Sequence, residues 1–202
     1  MVINKSILKE IEIDFYFKYL NTKMTYNYFR IINNVINDLS LFIIQKRVKC
    51  KNNNDLYSYI FFLDNKFYDI DELNNILFIK ESTYKSPSLL ETLFDFKEKT
   101  VTVTWVETIV EYQNKGLSSL LFICAAYIAE QFNLDVFELD DASDKFRKSD
   151  NLYLKLSFRY IEDGHPEMLG RTKYIVRKWR HIKSKYNIDF DIFKSLIPRR
   201  SY

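Results

Sequence analysis

The residues best placed to do chemistry form a turn, Gln-Asn-Lys-Gly-Leu-Ser, at positions 113–118. A β-rich run from Thr100 to Val110 leads into this turn, and an apolar helix from Ser118 to about Phe132 is predicted to leave it. The first amides of a helix have no internal acceptors and lie at the positive end of its dipole, so such a turn binds anions. Gly116 lets backbone approach a ligand without an intervening Cβ, and Ser118 is expected to cap the helix. Phosphate is the anion that suits this arrangement best.

A second segment of interest, Leu-Tyr-Leu-Lys-Leu-Ser-Phe, occupies positions 152–158. In this order the two segments resemble the GNAT (GCN5-related N-acetyltransferase) superfamily, whose first motif, Gln/Arg-x-x-Gly-x-Gly/Ala, lies between a strand and a helix. The second motif of the family, Leu-Tyr-x-Lys-x-Gly-Phe, lies on a later helix. The matching residues are Gln113, Gly116 and Ser118 for the first motif, and Leu152, Tyr153, Lys155, Ser157 and Phe158 for the second.

The resemblance covers about residues 100–176 and departs from the family pattern at two positions. Ser118 stands where the family has glycine or alanine, and it is small enough to fit. Ser157 stands where the family has glycine. This change is the more awkward one if the position needs a positive φ, because a Cβ is disfavoured there.

The resemblance implies that acetyl-CoA binds at the turn, with its pyrophosphate on the backbone amides of residues 114–118 and the Lys115 side chain as an extra charge. It also implies that the strand before the turn splays from its neighbour and pairs through its backbone with the pantetheine arm. The implied cofactor-binding residues are Thr108, Ile109, Val110, Gln113, Asn114, Lys115, Gly116, Leu117 and Ser118. The alternative is an ordinary strand-to-helix turn whose glycine only relieves strain. No metal is implied.

Tyr153 aligns with the tyrosine that GNAT enzymes often use as a general acid toward the leaving thiolate of CoA. A phenol suits this role because its pKa lies near or above that of a thiol. Glu107 is the first candidate for the base that accepts the proton of the attacking amine, and Glu138 or Asp140 is the second. Each carboxylate could equally be solvated, Tyr153 could be a core residue in a chain with 15 tyrosines, and an amine with a lowered pKa needs no base.

The composition is that of an ordinary globular protein. Of 202 residues, 47% are hydrophobic and 17% aromatic, which is enough to build a sizeable core in one domain, or in one domain plus an extension. The net charge of +3 gives no sign of the concentrated basic face of a nucleic-acid-binding protein. No apolar run is long enough to span a membrane.

The cysteine usage indicates a reducing compartment. Cys50 and Cys124 form neither a disulfide framework nor a metal site, and Cys124 is expected to be a small buried hydrophobe in the apolar helix. We therefore expect an intracellular, most simply cytoplasmic, protein. The heavy use of Asn, Lys, Ile, Phe and Tyr is what an AT-rich coding sequence yields. A parasite, an AT-rich bacterium or a large DNA virus would fit, and a viral protein would work in the host cytoplasm.

Apolar spacing predicts the remaining elements. Alternation over Ile7 to Phe17 predicts a half-buried strand, and spacings of three and four over Tyr28 to Ile44 predict an amphipathic helix. Leu56 to Leu63 and Lys66 to Ile70 are typical of a hairpin, and Leu73 to Lys80 of a strand or a short helix. Further predictions are a helical turn at Leu89 to Phe94, a strand at Val136 to Leu139, a short helix at Asn151 to Leu156, and strands at Phe158 to Ile161 and Arg171 to Arg177.

This order of elements predicts an α+β fold, and the resemblance implies a GNAT-like mixed and mostly antiparallel sheet with helices on both faces. We predict one acyltransferase domain over residues 1–180 and a basic extension over 181–202. The resemblance implies acetyl-CoA-dependent transfer of an acetyl group to an amine of a peptide, a protein or a small molecule. Asp140, Asp141 and Asp144, near the predicted mouth of the site, favour a cationic acceptor.

Two alternatives stay open at this point. One is a catalytically inactive GNAT-like domain that serves as a binding or structural module, and the other is an unrelated α+β interaction protein. Because GNAT domains often dimerise, the resemblance also raises a homodimer as an open question.

Overall fold

One mixed sheet organises the part of the chain that the structure describes. The structure is a computed structural model and describes residues 11–17, 20–30, 40–49, 55–64 and 86–179. The strands are β1 (Ile11–Phe17), β2 (Leu20–Arg30), β3 (Ser40–Lys49), β4 (Asp55–Asp64), β5 (Ser88–Asp95), β6 (Thr100–Thr108), β7 (Val136–Asp140), β8 (Phe158–Tyr160) and β9 (Glu167–Arg171). They lie side by side in chain order up to β7, after which β9 separates β7 from β8.

Neighbouring strands of this sheet pair antiparallel, except β6 and β7, which run parallel. Helices are interspersed with the strands in the second half of the chain. The predicted class, α+β with a mixed and mostly antiparallel sheet, is therefore confirmed.

The described helices gather around the longest of them. They are α1 (Leu117–Gln131), α2 (Leu152–Lys155) and α3 (Thr172–Arg177), and a 3-10 helix at Val110–Tyr112 precedes α1. Helix α1 packs against β4, β5 and β6 and also against α3, while Tyr153 of α2 contacts Phe122 of α1 with ring centroids 5.9 Å apart. None of the described helices is long and apolar enough to cross a membrane.

Helix α1 is apolar on most of its circumference because it is covered on several sides. Ten of its 15 residues are buried, including Cys124, as predicted. A helix that is apolar all round belongs in an interior position. Burial raises the pKa of the Cys124 thiol, so this cysteine behaves as a small hydrophobic residue.

The core joins both halves of the chain. Leu41 of β3, Tyr59 of β4 and Phe94 of β5 belong to the same buried cluster as α1 and as Phe158 of β8. The motif-bearing segment after residue 100 thus packs on strands from the first half of the sequence.

The helix predicted over Tyr28 to Ile44 is wrong at both of its ends. Residues up to Arg30 belong to β2 and residues from Ser40 belong to β3, and the two strands pair with Tyr28 opposite Phe42. The apolar spacing fits a helix, but cross-strand pairing with β3 decides the conformation, and such pairing is not visible in a local window.

Two more local predictions are wrong for the same kind of reason. The segment Leu89 to Phe94 is not a helical turn but the middle of β5, where burial alternates along the whole strand. The segment predicted as a strand from Arg171 to Arg177 keeps only Arg171 in β9 and is helical from Thr172 onwards. Thr172 and Ile175 are buried, and α3 packs on α1, so helical spacing wins over the β-propensity of this stretch.

The prediction that Leu56 to Leu63 forms a hairpin with Lys66 to Ile70 is also wrong. Both edges of β4 are occupied, one by β3 and the other by β5. The proposed partner at Lys66 to Ile70 and the element at Leu73 to Lys80 lie outside the described residues, as does the basic extension at 181–202. The strand predicted at Ile7 to Phe17 is confirmed from Ile11, where the description begins.

Candidate functional site

A cleft opens in the sheet between the two parallel strands. Strands β6 and β7 pair over three residues only, from Thr100 opposite Val136 to Thr102 opposite Glu138. Strand β6 then continues to Thr108 and β7 to Asp140 without further pairing between them. The splaying that the family resemblance implied for the strand before the turn is therefore present.

The cleft has a volume of about 780 Å³. Its lining comes from consecutive residues of both splayed strands, from α2, and from the β8–β9 hairpin. The lining residues are Thr102, Val103, Thr104, Trp105, Val106, Glu138, Leu139, Asp140, Ala142, Ser143, Tyr153, Ile161, Glu167, Met168 and Leu169.

A β-bulge shapes the wall that β6 gives to the cleft. Glu91 of β5 pairs with Trp105 and the next residue, Thr92, pairs with Val103, so Thr104 is the extra residue on β6. A bulge bends its strand and changes the direction of the side chains that follow. Trp105 lines the cleft and is nevertheless 55% exposed, which leaves its ring accessible to a ligand.

The turn after β6 begins earlier in the chain than the sequence predicts. The strand ends at Thr108, two residues before the predicted end, and Ile109 and Val110 lie outside it. Ile109 and Val110 are therefore not strand residues as predicted, because the chain turns into a 3-10 helix, in which the amide of Tyr112 donates to the carbonyl of Ile109 at 2.9 Å. Their contacts with the cofactor stay a prediction. The side chain of Gln113 fastens the turn by donating to the carbonyl of Thr108 at 3.1 Å.

Left-handed backbone brings the chain from this turn into α1. Asn114 has φ 60° and Gly116 has φ 82°, and Gly116 is the residue that precedes the first turn of the helix. The first amide to donate within α1 is that of Leu120, to the carbonyl of Gly116 at 3.0 Å. The amides of Leu117, Ser118 and Ser119 therefore have no acceptor inside the helix and lie at its positive end.

Three hydroxyls link β5, β6 and α1 beside the turn. Ser88 Oγ donates to the carbonyl of Glu107 at 3.3 Å and lies 2.7 Å from Thr108 Oγ1, which lies 2.6 Å from Ser118 Oγ. Each hydroxyl carries one proton, and either partner can be the donor in the Ser88–Thr108 pair and in the Thr108–Ser118 pair.

This chain of hydroxyls corrects the predicted helix cap. Gly116, not Ser118, occupies the capping position and makes no side-chain cap. Because the Ser118 hydroxyl is hydrogen-bonded to Thr108, the backbone amides are the donors that the first turn of α1 offers to an anion. The Lys115 ammonium lies 4.7 Å from the centroid of the Tyr112 ring at the same turn.

Tyr153 lies in the wall of the cleft, as its assignment requires. Its ring packs at the edge of Phe122 and Phe158, with centroid distances of 5.9 and 6.1 Å. Desolvation, and after it the charge of Asp141 and the neighbouring Tyr160, raise the pKa of Tyr153 to about 12. The phenol is therefore fully protonated at neutral pH.

A network of hydrogen bonds centred on Asp141 holds the residue that precedes α2. Asp141 accepts hydrogen bonds from Ser143 Oγ at 2.5 Å, from Tyr160 OH at 2.5 Å and from Asn151 Nδ2 at 2.7 Å. Desolvation works to raise the pKa of Asp141, but these hydrogen bonds, with that of Ser143 first, outweigh it and hold the pKa below its ordinary value. Asp141 is thus a charged, almost fully buried carboxylate.

The carboxylates proposed as bases fall into two groups. Glu138 and Asp140 line the cleft, whereas Glu107 is exposed on β6 and is not among the lining residues. A further carboxylate, Glu167 of β9, lies directly opposite Asp140 in the β7–β9 pair and also lines the cleft. Within the described residues, no group of three or more His, Cys, Asp or Glu side chains is arranged to hold a metal ion.

Sequence reasoning missed several residues of this site. Asn151 carries a recognisable signal, since an asparagine immediately before a helix is a good N-cap. Glu167 was missed because β9 was placed four residues too late, and Trp105 because nothing local reveals a bulge. Tyr160 meets Asp141 across 19 positions of the chain, a pairing that no local pattern predicts.

No protein-family model and no curated protein matches the chain. Among solved structures, the chain is similar to a chimera of the spermidine N-acetyltransferase SpeG from Vibrio cholerae and hSSAT. The two share 16% identity with a TM-score of 0.38, over 58% of this chain and 69% of the other.

Proposed function

We propose that the chain is an acetyl-CoA-dependent N-acetyltransferase of the GNAT type, acting on a cationic amine. The observation that carries this proposal is the cleft between the splayed ends of β6 and β7. It has Tyr153 in its wall and lies on the strand that runs directly into the turn before α1. A single site for the two sequence motifs is supported by Tyr153 in one wall of the cleft and by the turn that follows the strand forming the opposite wall.

The residues of the cleft and the turn fit the two chemical parts of acetyl-CoA. Beyond Thr102 the backbone of β6 is unpaired on the side that faces β7, which suits the amides of a pantetheine arm. The amides of Leu117 and Ser118, with the turn from Asn114 to Gly116, suit a pyrophosphate. When bound, acetyl-CoA supplies an activated acyl thioester, and the amides of β6 beside the cleft would steady the charge that develops on the carbonyl oxygen.

Tyr153 is assigned the hydrogen bond to the leaving sulfur. Its pKa of about 12 exceeds that of an ordinary thiol near 8.5, so complete transfer of its proton would be uphill by roughly 4–5 kcal/mol. A hydrogen bond from the phenol to the departing thiolate needs no such transfer and is worth more in a desolvated cleft than in water. We therefore assign Tyr153 the role of donor and stabiliser of this charge.

The charges in the cleft define the acceptor. Among the residues that the structure describes, the lining includes the carboxylates of Glu138, Asp140 and Glu167 and no lysine or arginine. Asp140 and Glu167 face each other across paired strands, an arrangement that is unfavourable without a neighbouring cation. We assign the proton-accepting role to Glu138 or Asp140, and we expect amines with a second positive charge, such as polyamines or lysine-rich peptides, to be better acceptors than neutral amino sugars.

The first test is calorimetric titration of the purified protein with acetyl-CoA. We expect a micromolar Kd for the wild type and at least tenfold weaker binding for Gly116→Asp, which puts a side chain and a negative charge at the predicted pyrophosphate position. Gly164→Asp is the matched control, because Gly164 also has a positive φ, 89°, and lies on an exposed turn outside the cleft.

The outcomes separate the competing functions. Loss of binding in Gly116→Asp alone supports the cofactor site, and a subsequent acceptor screen then tests transfer. Failure of the folded wild type to bind would reject the enzyme. Binding without transfer to any amine would instead favour the binding module.

A further inference from the structure

The wall of the cleft that carries Tyr153 is a very short helix. Helix α2 has four residues, from Leu152 to Lys155, and a helix of one turn is not stable by its own hydrogen bonds. The position of Tyr153 therefore depends on what holds the beginning of this helix.

Asn151 holds it. Its Oδ1 accepts a hydrogen bond from the Tyr153 amide at 2.7 Å and a longer one from the Leu154 amide at 3.4 Å, which is the bonding of an N-cap. Asn151 is fully buried, so bulk water does not compete with its side chain for the Tyr153 amide.

The orientation of the Asn151 amide is fixed from its other end. Its Nδ2 donates to Asp141 Oδ2 at 2.7 Å and to the carbonyl of Lys145 at 3.0 Å. A reversed amide would point NH₂ at the Tyr153 amide and oxygen at the Asp141 carboxylate, which would pair donor with donor and acceptor with acceptor. Asp141 is itself fixed by Tyr160 OH and by its own amide, which donates to the carbonyl of Pro166 at 2.8 Å.

We propose that Asn151 and Asp141 are positioning residues that set the place of the Tyr153 phenol in the cleft, Asn151 by capping α2 and Asp141 by fixing the Asn151 amide. This inference rests on the proposed acetyltransferase function for its effect on turnover, but the placement of Tyr153 can be measured without any reaction. The titratable groups that act on Tyr153 are Asp141 and Tyr160, and Glu138, Asp140 and Glu167 share the cleft with it. Helix α1 packs the Phe122 ring against it, with ring centroids 5.9 Å apart.

The test combines an NMR titration with turnover. Tyrosine labelled with ¹³C at Cζ reports the ionisation of each phenol, and Tyr153→Phe assigns the signal. In the wild type we expect the Tyr153 signal to titrate near pH 12. In Asn151→Ala we expect it to titrate at lower pH, because a released α2 lets water reach the phenol.

Turnover supplies the second readout. We expect Asn151→Ala to lower kcat roughly ten- to a hundredfold, the cost of a misplaced group, with the Kd for acetyl-CoA changed less than twofold. In a Tyr153→Phe background the same substitution should not lower kcat further, whereas a merely structural defect would add to the loss. Asn151→Ser, which keeps a capping oxygen, should recover part of the activity, and Gln131→Ala, which removes an amide at the far end of α1, should change nothing.

The outcomes are distinguishable from failure of the proposed function. An unchanged Tyr153 titration in folded Asn151→Ala overturns the positioning role, whether or not the protein is an enzyme. Absence of acetyl-CoA binding in the wild type rejects the function, while the titration still decides the placement. If circular dichroism shows that Asn151→Ala does not fold, the test uses Asn151→Ser instead. If Tyr153 in that variant titrates at the same pH as in the wild type, the hydrogen bond from Asn151 to Asp141 is dispensable, and the role proposed for Asp141 is overturned.

Discussion

Ser157 shows at the level of one residue how far this chain departs from the family pattern. The position has φ 72°, a conformation that costs a residue with a Cβ roughly 1–2 kcal/mol. The motif has glycine here, and the geometry that glycine would serve is kept although the residue is not. The suspicion that serine is awkward at this place is therefore confirmed, and the strain sits between α2 and β8, beside Tyr153 and Phe158.

Replacing this serine by glycine should stabilise the protein. Ser157→Gly removes the strain, but the greater freedom of glycine in the unfolded chain offsets roughly 0.5–1 kcal/mol of this gain. We therefore expect the free energy of unfolding to rise by about 0.5–1 kcal/mol. Urea denaturation measures it. The matched control is Ser119→Gly, in the helical backbone of α1, which should lower the free energy of unfolding by about 0.5 kcal/mol. Equal effects of the two substitutions would show that φ at position 157 stores no strain.

The candidate site could be predicted only where its signal is local. Gly116 and Tyr153 belong to short motifs; Tyr153 lines the cleft, and Gly116 lies in the turn between β6 and α1. Trp105, Glu167 and the partners of Asp141 were not found, because a bulge, a strand register and a bond between distant residues depend on which strands pair. The helix cap predicted at Ser118 is wrong, because the residue spacing does not reveal that the Ser118 hydroxyl binds Thr108.

Among the elements, the loop from Asp141 to Asp150 depends most on a single charge. Asp141 receives bonds from Ser143 within the loop, from Asn151 at the start of α2, and from Tyr160 of β8. Arg147 adds a second tie, because its amide donates to Tyr160 OH at 2.7 Å and its guanidinium pairs with Asp163 at 2.7 Å. The loop, α2 and the β8–β9 hairpin are thus one unit that meets at the Asp141 carboxylate.

The acid sensitivity of this unit can be predicted from the sign of the Asp141 shift. The pKa of this carboxyl is lower in the folded state than its ordinary value of 3.8. Its contribution to stability is therefore complete above that value and is lost as the pH falls through 3.8 toward the lower folded-state pKa.

We expect Asp141→Asn to cost about 1–3 kcal/mol at neutral pH, and this difference from the wild type should shrink between about pH 5 and pH 2. Chemical denaturation across this pH range measures it. Asp144→Asn removes an exposed carboxylate of the same loop and should give a curve parallel to the wild type. A difference for Asp141→Asn that does not change with pH would show that its carboxyl has no shifted pKa.

Element prediction succeeded where a pattern is repeated within one segment. The buried run of α1, the short strand β7 and the single turn of α2 each agree with the structure to within one or two residues. It failed for β2, β3, β5 and α3, whose conformations are decided by what they pack against. The failures reflect tertiary contacts that outweigh weak local preferences.

At the scale of the whole molecule, both motifs lie in the second half of the chain, and they pack on strands from the first half. The motif-bearing segment supplies β6, α1, β7 and α2, but the face of the sheet on which α1 packs includes β4 and β5. Leu41, Ile43 and Tyr59, all from the first half, are completely buried in the same cluster. A resemblance that covers about residues 100–176 is therefore a resemblance of part of a folding unit.

This arrangement predicts that the motif half does not fold by itself. A fragment of residues 97–202 lacks β1 to β5, so one edge of β6 loses its partner, and the apolar surface of α1 that packs on β4 and β5 is exposed to water. We expect this fragment to show no cooperative thermal transition, to bind the dye ANS, and to bind no acetyl-CoA, while the full chain unfolds in one transition. The dispersion of amide signals in a two-dimensional NMR spectrum gives an independent measure. A well-dispersed spectrum from the fragment, with a cooperative transition of its own, would show instead that the strands before residue 97 form a separate domain and that the cleft needs nothing from them.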